Sequence, residues 1–195
     1  MALQDDGDVA FRVADSRVTA TVTLLYERAT ARRLGEVEPV VADRRLVEVL
    51  RARLDAPRTV VVVGERAGET VACCFGSPLR SADGVLSETE AHVSLVAVAP
   101  AYWGLGYGRG VLSFAERALA SVGYQGAQLH VQAANTRARR LYERCGWTLV
   151  GPGEPHRDGP QVVYGKRLHD GGIAADVPQS ESSSDASSDA GGRVG

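Results

Sequence analysis

The sequence predicts an α/β (α+β) fold, a mixed sheet with helices on its faces. Three observations predict it. Short apolar or β-branched runs such as Thr59–Val63 alternate with segments whose apolar residues recur at helical spacing. The elements follow one another as β-α-α-β-β-β-α-β-α-β-β. From His92 to Arg109 an apolar strand passes a turn at Pro100 and runs into alternating glycines, Gly104, Gly106 and Gly108, which open an amphipathic helix.

Taken in order, Val9–Ala14 carries apolar residues at 9, 11 and 13 and reads as a strand. Asp15 or Ser16 can cap a helix with Val18, Val22, Leu25 and Tyr26 on one face. A polar loop with Arg32, Arg33, Glu36 and Glu38 follows, and Asp43 caps a second helix that ends near Pro57. Thr59–Val63 and Thr70–Phe75 read as a hairpin turned by Gly64–Gly68, and Ser81–Thr89 as a polar loop. After the His92–Val98 strand, the helix from Gly106 to Val122 places Val111, Phe114, Ala115, Ala118, Leu119 and Val122 on one face. Ala127–Val131 is a strand. Asn135 opens a short helix striped with Ala138, Leu141, Tyr142 and Cys145, and Gly146 suits its left-handed stop. Trp147–Val150 and Val162–Leu168 complete the sheet.

The chain has 195 residues, 44% hydrophobic and 24% charged, with a formal net charge of −2. One core-forming domain over residues 1–168 is expected. Residues 169–195 are rich in Gly, Ser and Asp, with five acidic side chains against Arg193, and are expected to be a disordered acidic tail. The remainder is only slightly cationic, too little for a nucleic-acid surface. No apolar run approaches the roughly 20 residues that span a bilayer, and the first residues lack the pattern of a secretory signal. Cys73, Cys74 and Cys145 are an odd number and read as reduced thiols, which points to a cytoplasmic protein.

Alternating glycines let backbone N–H groups converge on one anion, and the following helix adds the positive end of its dipole. A pyrophosphate fits such a seat. The dinucleotide-binding fingerprint fails, because it needs glycine at Arg109 or Val111, and no Gly-Lys-Ser or Gly-Lys-Thr exists. Downstream, Asn135, Ala138, Tyr142, Gly146 and Trp147 stand in the pattern N-x-x-A-x-x-x-Y-x-x-x-G-(aromatic). With the segment Val98–Gly108 before it, the chain resembles the GCN5-related N-acetyltransferase (GNAT) superfamily over about residues 9–168. The resemblance implies a mixed, mostly antiparallel sheet of six to seven strands flanked by about four helices. It departs at Trp103, where the family usually carries Arg or Gln.

The resemblance also implies acetyl-CoA as co-substrate, and the ligand spacing of the residues themselves gives no reason to expect a metal. The strand ending at Val98 splays from Ala127–Val131, and the pantetheine arm pairs with the backbone of Val96, Ala97 and Val98 like an added strand. The diphosphate meets the amides of Gly104, Leu105, Gly106, Tyr107, Gly108 and Arg109. Asn135 either caps its helix or contacts the cofactor. Tyr142 is the candidate general acid for the leaving thiolate and also touches the cofactor. His92 is the candidate base, with Glu90 and Glu88 as fallbacks. Alternation along the strand puts residues 92, 94, 96 and 98 on one face, so Ser94 can hold a relay water. His130, His156 and His169 lack ligand-spaced partners. Arg137, Arg139, Arg140 and Arg144 form a solvated face or reach the 3′-phosphate.

Acceptor specificity is expected from Tyr26–Asp43 and Gly151–Pro160, where Glu27, Glu36, Glu38 and Glu154 are available to pair with a cationic amine. The expected function is transfer of an acetyl group to a primary amine, first of a small molecule and second of a peptide, by direct attack on the thioester. The expected state is monomer or homodimer. The alternative is an acyl-CoA-binding module without turnover.

Overall fold

The computed structural model describes residues 4–5, 9–54, 56–155 and 159–168. The expected tail, His156 and His169 lie outside the described residues. The strands are β1 (Gln4–Asp5), β2 (Ala10–Ala14), β3 (Val60–Arg66), β4 (Glu69–Arg80), β5 (Leu86–Val98), β6 (Gly126–Gln132), β7 (Thr148–Pro152) and β8 (Gln161–Arg167). The helices are α1 (Thr19–Leu34), α2 (Arg44–Leu54), α3 (Tyr107–Ser121) and α4 (Thr136–Arg144). The expected order holds, with the two-residue β1 added at its start.

The strands form one sheet in the order β1-β2-β3-β4-β5-β6-β8-β7. Every adjacent pair is antiparallel except β5 and β6. One face is covered by α3, whose Val111, Leu112, Phe114, Ala115 and Leu119 meet Val62, Ala72, Cys74 and Val93 in the largest core cluster. The other face is covered by α1 and α2, which bury Val22, Leu25 and Leu50 against Val63, Cys73, Phe75 and Ala97.

Several local expectations are corrected. Asp15 caps a 3-10 turn over Ser16–Val18, accepting from the Arg17 amide at 2.9 Å, before α1 begins. Arg32 and Arg33 belong to the last turn of α1, not to a loop; the helix stops at Gly35 in a left-handed conformation. Ser81–Thr89 is not one loop: β4 continues to Arg80 and β5 starts at Leu86, joined by a turn in which Ser81 N–H donates to Val85 at 2.9 Å. Residues 86–90 expose most of their side chains on both faces, so no hydrophobic alternation marks them as a strand.

Gly64 lies inside β3 rather than in a turn, and the hairpin reverses at Ala67–Gly68. Its role is close packing. A Cβ at Gly64 would come 2.7 Å from the Phe11 ring, and one at Gly110 on α3 would come 2.6 Å from the same ring. Phe11, 2% exposed, thus fills a slot shaped by two absent side chains. Gly110→Ala must displace this ring and is expected to cost about 1–3 kcal/mol of stability, the usual range for overpacking a core. Thermal or denaturant unfolding measures the loss, and a variant as stable as the parent refutes the packing argument.

Candidate active site

The site grows from a fault in the sheet. β5 and β6 pair in parallel only from Glu90↔Gly126 to Val93↔Leu129. Beyond Val93 the two strands part, so the edge of Ser94–Val98 facing β6 has no ladder partner. The cause is visible on the other side of β5. Between the pairs Phe75↔Ser94 and Cys73↔Ala97, β4 spends one residue and β5 two. Leu95 takes up the excess with φ +52°, a β-bulge that bends the strand away.

The bulge also corrects the expected facing. Ser94 and His92 share a face with their partners Phe75 and Ser77. Past the bulge the parity inverts: Ala97, opposite Cys73, returns to that face, and Val98, opposite Ala72, lies on the other. His92, Ser94, Val96 and Val98 therefore do not form one row. Val96 and Val98 pack against the α3 cluster, while Leu95 packs toward α2.

A cleft of roughly 1290 Å³ opens at the parted strands. One wall is α1, through Tyr26, Ala29, Thr30 and Arg33. The floor is Ser94–Val98 of β5 facing His130–Gln132 of β6, and the far wall is the glycine turn with α4. Arg32, Arg33, Arg109, Arg137, Arg140 and Arg144 line it, and among the described residues no Asp or Glu does.

At the glycine turn, Gly104 and Gly106 both have φ +89°, and an added Cβ at either meets nothing within 4 Å. The chain needs glycine there for its backbone, and it leaves the concavity open. The Leu105 amide donates to Tyr102 and the Arg109 amide to Gly106, so these two are already engaged. Leu105 points to solvent at 61% exposure, and Tyr107 is buried, stacked on Tyr102 at 5.8 Å. Neither side chain lines the cleft, whereas Gly104, Gly106, Gly108 and Arg109 do.

Trp103 closes this end. Its indole N–H donates to the Val98 carbonyl at 2.7 Å, so that carbonyl is not open to an added strand. The Arg137 guanidinium lies 4.3 Å from its ring, a cation–π contact that carries a cation from α4 to the turn. Asn135 caps α4 by accepting from the Ala138 amide at 3.2 Å, and it also lines the cleft. Arg139 turns away, donating to Tyr164 Oη at 3.2 Å and to the Ala133 carbonyl at 3.1 Å, and holds α4 on β8 and the loop before it.

Tyr142 projects from α4 into the cleft, 7% exposed, its ring 6.3 Å from Trp147 and 6.0 Å from Tyr164. Burial pushes its hydroxyl well above the ordinary phenol range, and nearby Cys74, Tyr26 and Cys145 add to the rise. It stays protonated throughout the neutral range. His92 lines the same cleft, its ring 5.5 Å from that of His130 in an edge-to-face contact. Burial lowers its pKa to about 4, assisted by the charges of His130 and Arg53. At neutral pH it is an uncharged imidazole with a free lone pair. The Ser94 hydroxyl oxygen is buried and has no hydrogen-bond partner among the described residues.

Glu90 and Glu88 do not line the cleft. The Glu90 carboxylate sits over Gly126, where an added Cβ would come 2.4 Å from it. Glu27 accepts from the Asp43 amide at 3.1 Å, and Glu38 pairs with Arg32 at 3.5 Å. The α1 stripe lies within Tyr26–Asp43, the segment expected to set acceptor specificity, whereas the sequence gives His130 no tie to His92, since nothing local links them. No cluster of His, Cys, Asp or Glu able to hold a metal exists among the described residues. No described helix is long and apolar enough to cross a membrane.

The family model described as Acetyltransferase (GNAT) family matches residues 23–147. No curated protein matches by sequence. Among solved structures, yncA of Salmonella typhimurium, determined with its cofactor acetyl-CoA, aligns with a TM-score of 0.65 at 23% identity, covering 84% of this chain and 95% of that one. The acetyltransferase of GNAT family from Streptococcus pneumoniae aligns at 0.63 and 15% identity, covering 83% and 100%. The ribosomal-protein-S18-alanine N-acetyltransferase from Escherichia coli aligns at 0.60 and 18% identity, covering 82% and 94%.

Proposed function

The chain belongs to the GNAT acetyltransferase family, and from that premise we propose that it moves an acetyl group from acetyl-CoA to a primary amine of a small molecule by direct attack. One observation carries the reading: a single cleft joins an open glycine turn, an unpaired strand edge and a buried Tyr142 to an uncharged His92.

The residues present fit the co-substrate. The open concavity at Gly104 and Gly106, with the start of α3 behind it, suits a diphosphate, and Arg109, Arg137, Arg140 and Arg144 add positive charge. The unpaired edge of β5 beyond Val93 suits an amide-bearing chain laid as an extra strand, with Val96 central and Asn135 beside it; Ala97 pairs with Cys73 of β4 instead. Acetyl-CoA supplies a thioester whose acyl carbon accepts the amine's lone pair. The C–N bond forms as the C–S bond breaks.

Two protons must move. The attacking nitrogen loses one, to His92 directly or through a water held by the Ser94 hydroxyl. The departing sulfur gains one, from Tyr142. A neutral His92 is the competent form of a base, and a protonated Tyr142 the competent form of an acid. The free, buried Cys73 and Cys74 suit a reducing compartment, the cytoplasm in this reading.

The pH dependence follows from the His92 shift. A pKa near 4 means the basic form persists far below the ordinary histidine range, so protonation of the base lowers activity only as pH drops toward 4, separately from the ionisation of the acceptor amine. The acidic limb of kcat/KM should lie near pH 4 rather than 6.5, and His92→Gln should abolish it. A limb near 6.5, or one unaltered in the variant, removes His92 as the base.

The proposal is tested by incubating the full chain with acetyl-CoA and a panel of small amines and peptide N-termini while following CoA release. Release with small amines supports it. Release only with peptides transfers the reading to a peptide amine, and binding without release on any acceptor leaves an acyl-CoA-binding module.

A further inference from the structure

We infer that Glu116 of α3 and Lys166 of β8 are positioning residues for Tyr142, the proton donor of the transferase reading above, on which this inference rests. They act through Trp147 and the C-terminal end of α4. The helix that carries Tyr142 needs such support. α4 has nine residues, and Tyr142 is its one buried side chain. A helix that short is marginal by itself, and a single ring is a small apolar anchor. Its place on the sheet depends on what ties its two ends.

Tyr164 of β8 serves the body of the helix: its hydroxyl accepts from Arg139 at 3.2 Å and donates to Glu143 at 2.7 Å. A different set serves the C-terminal end. Lys166 Nζ donates to the Cys145 carbonyl, just past the last turn, at 2.6 Å, and to one Glu116 oxygen at 2.6 Å. The other Glu116 oxygen accepts from the Trp147 indole N–H at 2.8 Å. The Trp147 amide donates to the Tyr142 carbonyl at 3.0 Å, and its ring lies 6.3 Å from the Tyr142 ring. One ion pair thus fixes both the end of α4 and the ring that flanks Tyr142. The ammonium also lies where the helix dipole favours a cation.

The pair is mostly shielded from water, with the Glu116 side chain 14% and the Lys166 side chain 23% exposed. Stability alone is a weak reason for it, because apolar side chains of similar volume often serve a buried site as well as an ion pair or better. Apolar chains cannot supply direction. Glu116 fixes the N–H edge of the indole, and Lys166 fixes the carbonyl at the helix end. The Tyr142 hydroxyl has to meet the leaving sulfur at hydrogen-bond distance, and a misplacement of about 1 Å can cost about 10²-fold in rate.

The test replaces the pair by apolar chains of similar length, Glu116→Met with Lys166→Met, on the full chain. With acetyl-CoA and an acceptor that is turned over, this double variant should lose at least about fivefold in kcat, with the KM of acetyl-CoA within about twofold of the parent's. Glu116→Gln keeps an acceptor for both donors and should stay within about threefold of the parent. In a Tyr142→Phe background the double Met change should alter kcat by less than about twofold, since no hydroxyl is left to place. A parent-like kcat in the double Met variant, or an equal loss with and without the Tyr142 hydroxyl, overturns the proposal. If the double Met variant does not fold, Trp147→Phe, which keeps the ion pair and removes only the indole's bond to it, carries the same expectations. Amide hydrogen exchange gives a readout that needs no acceptor. The amides of residues 139–145 should exchange at least about tenfold faster in the variant, and by a larger factor than those of β3. Equal acceleration throughout, or none in α4, overturns the proposal. If no acceptor is turned over, the transferase reading fails by itself, and the exchange rates decide whether Glu116 and Lys166 hold α4 in place.

Discussion

Replacing Tyr142 by phenylalanine is expected to lower turnover at least ~10-fold, within or below the ~10²–10⁴ that a positioned general acid contributes, while acetyl-CoA affinity changes by no more than about twofold. The ring is held by packing against Trp147 and Tyr164 and is 7% exposed, so phenylalanine keeps its shape and its place. Only the hydroxyl is lost. That hydroxyl keeps its proton at neutral pH because burial disfavours the phenolate. It can lend the proton to a developing thiolate, whose charge the buried site otherwise stabilises poorly. Steady-state kinetics with a saturating acceptor measures the effect, and unfolding of the variant checks that α4 still seats. A turnover equal to the parent's eliminates Tyr142 from proton delivery.

Gly106→Asp is expected to weaken acetyl-CoA by roughly 100-fold, whereas Gly106→Asn weakens it only a fewfold. Gly106 sits at φ +89° at the mouth of α3, with empty space where a Cβ would stand. Both substitutions share the same backbone strain, of order 1–3 kcal/mol, and asparagine and aspartate tolerate left-handed backbone better than most residues. They differ in one charge. A carboxylate about 4 Å from a phosphate oxygen is repelled by about 4 kcal/mol at an effective dielectric of 20, less after screening by salt. Equilibrium binding of acetyl-CoA to both variants separates charge from strain. Equal losses would assign the effect to backbone, and no loss in either would move the phosphates away from this turn.

The parts of this molecule that were legible in its sequence are those whose signals are local. Apolar periodicity, with caps and glycine or proline turns, recovered the order of the strands and helices. The glycine turn and the α4 pattern, each confined to a dozen or so residues, pointed to Gly104, Gly106, Gly108, Asn135 and Tyr142, which line one cleft. The less legible features are non-local. Gly64 reads as a turn residue until Phe11, more than fifty positions earlier, lands on it. The bulge at Leu95 carries no glycine or proline to announce it, yet it inverts the facing of Val96 and Val98 and parts β5 from β6. His130 meets His92 only because the two strands run side by side. The partners of the α1–α2 glutamates are likewise non-local: Glu27 accepts from the Asp43 amide and Glu38 pairs with Arg32.

All of these expectations depend on a phosphate-bearing thioester threading the gap beside β5. Isotope-labelled amides report on that gap directly. Titrating the full chain with acetyl-CoA should shift the amide resonances of Ser94–Ala97, Gly104, Gly106 and Gly108, saturating at one equivalent. Resonances that stay fixed at millimolar acetyl-CoA, or that move only on surfaces remote from the parted strands, would contradict the assignment of this cleft.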